Sequence, residues 1–163
     1  MTDLGAIGGN GSWAYDINDS SQVVGFAENA IGQYHAFLYE SGTMRDLGTL
    51  RGYRSMAHGI NDSGQVVGHD EETGGGALAF LYDSGTMTFL NDLLPSGSGW
   101  DDLVEAFDIN GNGQIVGKGV IDGKTHAFLM TPNNPVPEPS TLVMWSVFVV
   151  IATIYGWRRR RSA

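Results

Sequence analysis

The chain has 163 residues, with 24 Gly, 5 Pro, no Cys and 42% hydrophobic side chains. That length supports one modest core, and the lack of Cys excludes disulfide frameworks, thiolate nucleophiles and Cys-based zinc sites. The net charge of −9 hides an asymmetry: residues 1–136 hold 17 acidic against 5 basic side chains, a net of −12, while Arg158, Arg159, Arg160 and Arg161 crowd the C-terminus. An acidic body repels phosphate backbones, whose binding needs Lys and Arg, so no nucleic-acid partner is expected.

Internal repetition organises residues 1–132. Met1, Asp3, Leu4 and Gly5 recur 43 positions later as Met44, Asp46, Leu47 and Gly48. The same offset carries Ile17-Asn18-Asp19 onto Ile60-Asn61-Asp62, Gln22–Gly25 onto Gln65–Gly68, and Ala36–Tyr39 onto Ala79–Tyr82. A third copy starts at Met87, takes an insertion rich in turn formers around Leu94–Trp100, and resumes with Ile109, Asn110, Gly111, Gln114–Gly117 and His126–Leu129. The units fall at about 1–43, 44–86 and 87–132, inside a repeat region 1–134.

Each unit predicts four short strands. In the first, Trp13–Asn18 and Gln22–Phe26 are joined by a turn of Asn, Asp and Ser, and the later copies use Asn61-Asp62-Ser63-Gly64 and Asn110-Gly111-Asn112-Gly113. Such residues tolerate the left-handed backbone of tight hairpins. The third strand is His35–Tyr39, after which Ser41-Gly42 and Ser84-Gly85 turn the chain into the Met-x-Asp-Leu segment as a fourth. No stretch before residue 140 has the periodicity and caps of a long amphipathic helix. The predicted class is all-β: three four-stranded repeats that fit propeller blades, with a strand-rich solenoid as the alternative. Closed propellers have four to eight blades, so three units imply an incomplete one. Met1–Ala14 has neither the basic start nor the apolar run of a signal peptide, and Met1 sits where Met44 and Met87 sit inside the array. The expectation is a chain that begins within a repeat, the alternative being export directed by the C-terminal span with oligomers completing the fold.

His35-Ala36-Phe37 and His126-Ala127-Phe128 repeat a tripeptide that the second unit replaces with Leu78-Ala79-Phe80. With the Asp-Leu-Gly, Ile-Asn-Asp and Gly-Gln-Val-Val-Gly elements, the region resembles the bacterial extracellular HAF repeat family. That resemblance implies a location and a repeat architecture, but no chemistry.

From Leu142 to Trp157 the chain runs sixteen residues without a charge. Extended back to Ser140, it would span about 27 Å as a helix, close to the hydrocarbon thickness of a bilayer. The segment is apolar around its whole circumference, so it predicts one transmembrane helix over 142–157. Tyr155 and Trp157 suit the interface, and Arg158–Arg161 hold the tail in the cytoplasm, which puts the acidic body outside. Just before the span, Pro137 and Pro139 force extended geometry around Glu138. A helix start explains Pro139–Thr141 but leaves Glu138 between two prolines without a reason. The order of Val-Pro-Glu-Pro-Ser-Thr, apolar span and Arg cluster resembles the PEP-CTERM sorting signal of Gram-negative bacteria, placed here at 135–163. The resemblance implies that an exosortase, a membrane cysteine protease or transpeptidase, recognises Pro137, Glu138 and Pro139, cleaves nearby, and releases or transfers the body.

Candidate chemistry in the body is sparse. Asp108, Asn110 and Asn112, followed by Gly113, copy the first half of a calcium loop, yet the closing Glu would fall on Gly119. A hairpin turn explains them more simply. His35 and His126 could line up as metal ligands on adjacent blades, but Leu78 interrupts the series, and a strand histidine making one hydrogen bond is the simpler reading. No Gly-x-Ser-x-Gly elbow is present, and Asp101, Asp102 and Glu105 read as a solvated insertion. Neither a catalytic residue nor a cofactor is expected. Trp13, Trp100, Tyr34 and Tyr53 offer faces on which sugars stack. The expected function is therefore a non-enzymatic surface or matrix-associated repeat protein, with exosortase, membrane lipid and extracellular polysaccharide as partners. A carbohydrate-active or carbohydrate-binding propeller and a permanently anchored inner-membrane interaction protein are the alternatives.

Overall fold

Short runs of Val, Phe, Tyr and Ile favour a pleated, half-buried backbone, and Asn, Ser and Gly at fixed intervals break them into strands. In the computed structural model, which describes residues 1–132, they form eleven strands: β1 (Gly8–Ile17), β2 (Val23–Asn29), β3 (Tyr34–Glu40), β4 (Thr43–Gly48), β5 (Arg54–Ile60), β6 (Val66–Glu71), β7 (Ala77–Asp83), β8 (Thr86–Phe89), β9 (Asp102–Ile109), β10 (Ile115–Ile121) and β11 (Lys124–Met130). Each sheet is an antiparallel meander of sequential neighbours: β1 to β4, β5 to β8, and β9 to β11. The class is all-β. No helix among the described residues is long and apolar enough to cross a membrane. The expected span at 142–157, the Pro137–Pro139 motif and Arg158–Arg161 lie outside the described residues.

Three details differ from the sequence reading. The first strand of the first sheet begins at Gly8 rather than Trp13, because Gly8 registers with Asn29 at the far end of β2. A 3-10 helix, Leu90–Leu93, lies between β8 and the insertion, and its Leu90, which aligns with the Leu of the Met-x-Asp-Leu strand, is fully buried. The third sheet has three strands among the described residues instead of four. After Met130 the chain reads Thr131-Pro132, and Pro lacks the N–H that a ladder position needs.

Sheets and sequence units are out of phase. β4 carries the Met44-Arg45-Asp46-Leu47 segment that opens the second unit, yet it pairs with β3 of the first. The connecting turn has Ser41 at φ 51° and Gly42 at φ 82°, and Ser84-Gly85 and Asp122-Gly123 repeat that pair of left-handed residues. Two successive positive φ values match the twist of the flanking strands, which is why Gly takes the second place.

The first strand of every sheet also carries a bulge. Ala14 faces Gly25 and Asp16 faces Val24, so Tyr15 has no partner; His58 and Phe107 are left over in the same way in β5 and β9. The opposing residue is always Gly. A Cβ at Gly68 would run into the carbonyl oxygen of Met56, and Gly25 and Gly117 meet the same obstacle at Trp13 and Glu105. Gly25, Gly68 and Gly117, each closing a Gln-Val-Val-Gly or Gln-Ile-Val-Gly element, thus give the room the bulge requires.

The two cores lie between successive sheets. Val24, Ala36 and Leu38 of the first sheet pack on Ile60, Val66, Phe80 and Tyr82 of the second. Val67, Ala79 and Leu81, their equivalents, pack with Ile109, Ile115, Phe128 and Met130 of the third. Alternation along each strand supplies one face to each core. Polar clamps join the same junctions. Asn18 Nδ2 donates to the Asn61 carbonyl at 3.0 Å, Asn61 Nδ2 to the Asn110 carbonyl at 3.1 Å, and the Asp19 N–H to Asp62 Oδ1 at 2.9 Å.

Candidate functional site

The repeat aligns Tyr15, His58 and Phe107 on the bulges, and Phe26, His69 and Lys118 on the strands beside them. The aromatic pair of the first unit thus becomes two imidazoles in the second, and Phe107 with Lys118 in the third. The bulge re-aims its side chain, and the imidazoles of His58 and His69 stack with centroids 5.1 Å apart and planes at 23°.

His58 Nε2 lies 3.0 Å from His69 Nδ1. Glu105 Oε1, from β9 of the next sheet, lies 3.2 Å from His58 Nε2 and 3.6 Å from His69 Nδ1. Its other oxygen, Oε2, accepts from Lys118 Nζ at 2.6 Å, and Glu71 Oε1 sits 3.5 Å from His69 Nε2. The three central side chains are less than a fifth exposed. Burial, with the neighbouring charges of His69 and Lys118, holds His58 below the usual imidazole value, against the pull of Glu105. Burial acts to raise Glu105, but the Lys118 hydrogen bond together with His69, Lys118 and His58 outweighs it and holds the carboxyl below its ordinary range. The site therefore pairs an imidazole biased toward neutrality with a carboxylate biased toward ionisation.

Edge contact with Tyr15, at 5.4 Å between centroids, links His58 to an aromatic patch on the first sheet. There Trp13 stacks on Phe26 at 4.9 Å, Tyr34 meets both edge-on, and Trp13 and Tyr15 are about half exposed. The guanidinium of Arg54 covers Tyr34 and Tyr53.

A family model described as "Protein of unknown function (DUF3466)" matches residues 8–134, from the first residue of β1 to just beyond β11. The chain belongs to the DUF3466 family. No curated protein and no solved structure matches it.

Within the DUF3466 region, the residues singled out by sequence separate into framework and surface. Of the calcium candidates Asp108, Asn110 and Asn112, Asn110 caps the turn, its Oδ1 accepting the N–H groups of Asn112 and Gln114 and its Nδ2 donating to Gln114 Oε1, while Asp108 Oδ1 accepts the Ile109 N–H. Asn18 and Asn61 make the same bonds in their units. His35 bridges β3 to β4 through Asp46 at 2.9 Å and approaches Asn29 at 3.3 Å. His126 is exposed on β11, and the structure does not bring these two histidines together in one cluster. Asp102 accepts from Asn91, and Asp101 from the Gly123 N–H, while Glu105 is drawn inward by β9. Trp100 packs on the second core beside Phe128, whereas Trp13 and Tyr34 belong to the surface patch. Sequence reasoning missed His58 and His69. The available signal was their place in the repeat, where both replace aromatic residues of the first unit.

Proposed function

We propose that this DUF3466 chain is a non-enzymatic, exported repeat protein of the cell surface or extracellular matrix, delivered through a C-terminal sorting signal. The observation that carries the reading is the order of Pro137-Glu138-Pro139, an uncharged stretch from Leu142 to Trp157, and Arg158–Arg161. The fold supports it from the other side. The motif residues Asn18, Gln22, Asn61, Gln65, Asn110 and Gln114 are spent on turns and clamps, and their hydrogen bonds build a scaffold rather than a reaction centre. Successive meanders stacked face to face support reading them as blades of an incomplete β-propeller. An exosortase is the processing partner, membrane lipid holds the chain beforehand, and the acidic body faces outward.

Glu138→Gln tests this reading. A recognition pocket built for a carboxylate leaves its own polar groups unpaired when the charge is lost. A helix start would hardly respond, since one nearby carboxylate is worth about 1 kcal/mol or less to the dipole. In a host with the matching exosortase, mass measurement should find the wild-type chain without Arg161 and the variant full-length in the membrane. Equal retention of Arg161 would favour the permanently anchored reading, and equal trimming would remove Glu138 as determinant.

Carbohydrate binding is the second reading, favoured by the exposed Trp13 and Tyr15 beside Phe26 and Tyr34. Stacking faces of this kind hold pyranose rings through their apolar sides. Retardation of the wild type, but not of Trp13→Ala, in gels containing the host's extracellular polysaccharide would support it.

A further inference from the structure

We propose that His58, His69 and Glu105 form a zinc site that ties the second sheet to the third. The inference stands apart from sorting and rests on the geometry of three ligand atoms. In a tetrahedral site with metal–ligand distances of 2.0–2.1 Å, neighbouring ligand atoms lie about 3.3 Å apart. His58 Nε2, His69 Nδ1 and Glu105 Oε1 already stand at 3.0, 3.2 and 3.6 Å from one another, one face of such a tetrahedron. Two imidazoles and one carboxylate are a donor set suited to zinc, with the fourth position left to water.

The surroundings prepare these atoms for a cation. Glu71 beside His69 Nε2 favours the tautomer with its proton there, which turns the Nδ1 lone pair toward His58. The 3.0 Å approach of His58 Nε2 to that atom suits one proton between the two nitrogens in the absence of metal. Binding needs the His58 proton on Nδ1, so that the Nε2 lone pair faces the metal. Lys118 engages Glu105 Oε2 and leaves Oε1 for the metal. The bulge matters as well, since an unpaired residue in β5 turns His58 onto its neighbour in β6. His58 and His69 come from the β5–β6 hairpin and Glu105 from β9, so the metal would tie that hairpin to a strand of the next sheet.

The test uses the full-length chain, without a polyhistidine tag, in mild detergent. Equilibrium dialysis against micromolar Zn2+, with metal counted by mass spectrometry, should find close to one zinc per chain in the wild type and in His35→Ala. His58→Ala combined with His69→Ala should bind at least tenfold more weakly. Glu71→Gln, which spares every ligand, should lose about tenfold. Circular dichroism checks that the variants retain their strands. A Co2+ titration of the unaltered chain supplies a reading that no misfolded variant can confuse, because four-coordinate cobalt with nitrogen and oxygen ligands absorbs strongly in the visible. Substoichiometric zinc in the wild type, no such absorption, or equal binding by the double variant would overturn the proposal.

Discussion

A single asparagine shows how much of the fold rests on individual side chains. Asn61 Oδ1 accepts the N–H groups of Ser63 and Gln65, while Nδ2 donates to Gln65 Oε1 and to the Asn110 carbonyl in the next sheet. Nearly buried, it leaves those partners unpaired when truncated, and Asn61→Ala should cost about 2–4 kcal/mol, more than one lost bond. Asn110 makes the same turn but is exposed and clamps no following sheet among the described residues, so Asn110→Ala should cost about 1 kcal/mol. Urea denaturation of both variants checks the order, and equal losses would mean that the clamp adds nothing to the turn. The Asn-x-x-x-Gln turns were legible in the sequence because their chemistry is local. The reach of Asn18 and Asn61 into the following unit was not, since it depends on how the sheets stack.

Strands were legible by alternation, and their hairpins by Ser41-Gly42 and Ser84-Gly85. Bulges were not. An extra residue has no signature within its own strand, because it is defined only by the partner, here Gly25, Gly68 or Gly117. This explains why His58 escaped notice, and why Glu105 read as part of a solvated insertion although β9 brings it to both imidazoles. The bulge makes its own prediction. Gly68→Ala sets a methyl group against the Met56 carbonyl and forces the strands apart, with an expected loss of about 3 kcal/mol or more. Gly74→Ala lies in a turn with open space around it and pays only for its left-handed φ of 119°. Thermal melts should therefore place Gly68→Ala well below Gly74→Ala, and the reverse order would mean that the bulge can relax.

At the scale of the whole array of described residues, the first and third sheets present faces that are buried at the inner junctions. Ile17 is 62% exposed, whereas its equivalents Ile60 and Ile109 are 5% and 4% exposed. At the other end Leu129 and Val116 are 64% and 43% exposed, although Val67 and Val24 are fully buried. Since the internal junctions unite these same two faces, residues 1–134 alone should associate head to tail, the Leu129 face of one copy meeting the Ile17 face of the next. Sedimentation velocity should show mass rising with concentration, and Leu129→Asp or Ile17→Asp should suppress it. A wild type that stays monomeric at all concentrations would refute this. The phase shift between sheets and sequence units has a separate consequence, at the level of the gene. Because β4 is supplied by the unit that follows β1–β3, unequal recombination between repeats would remove or add one sheet's worth of chain while leaving each internal sheet complete. The number of sheets can then drift by copy-number change, each step inheriting an intact turn, bulge and clamp.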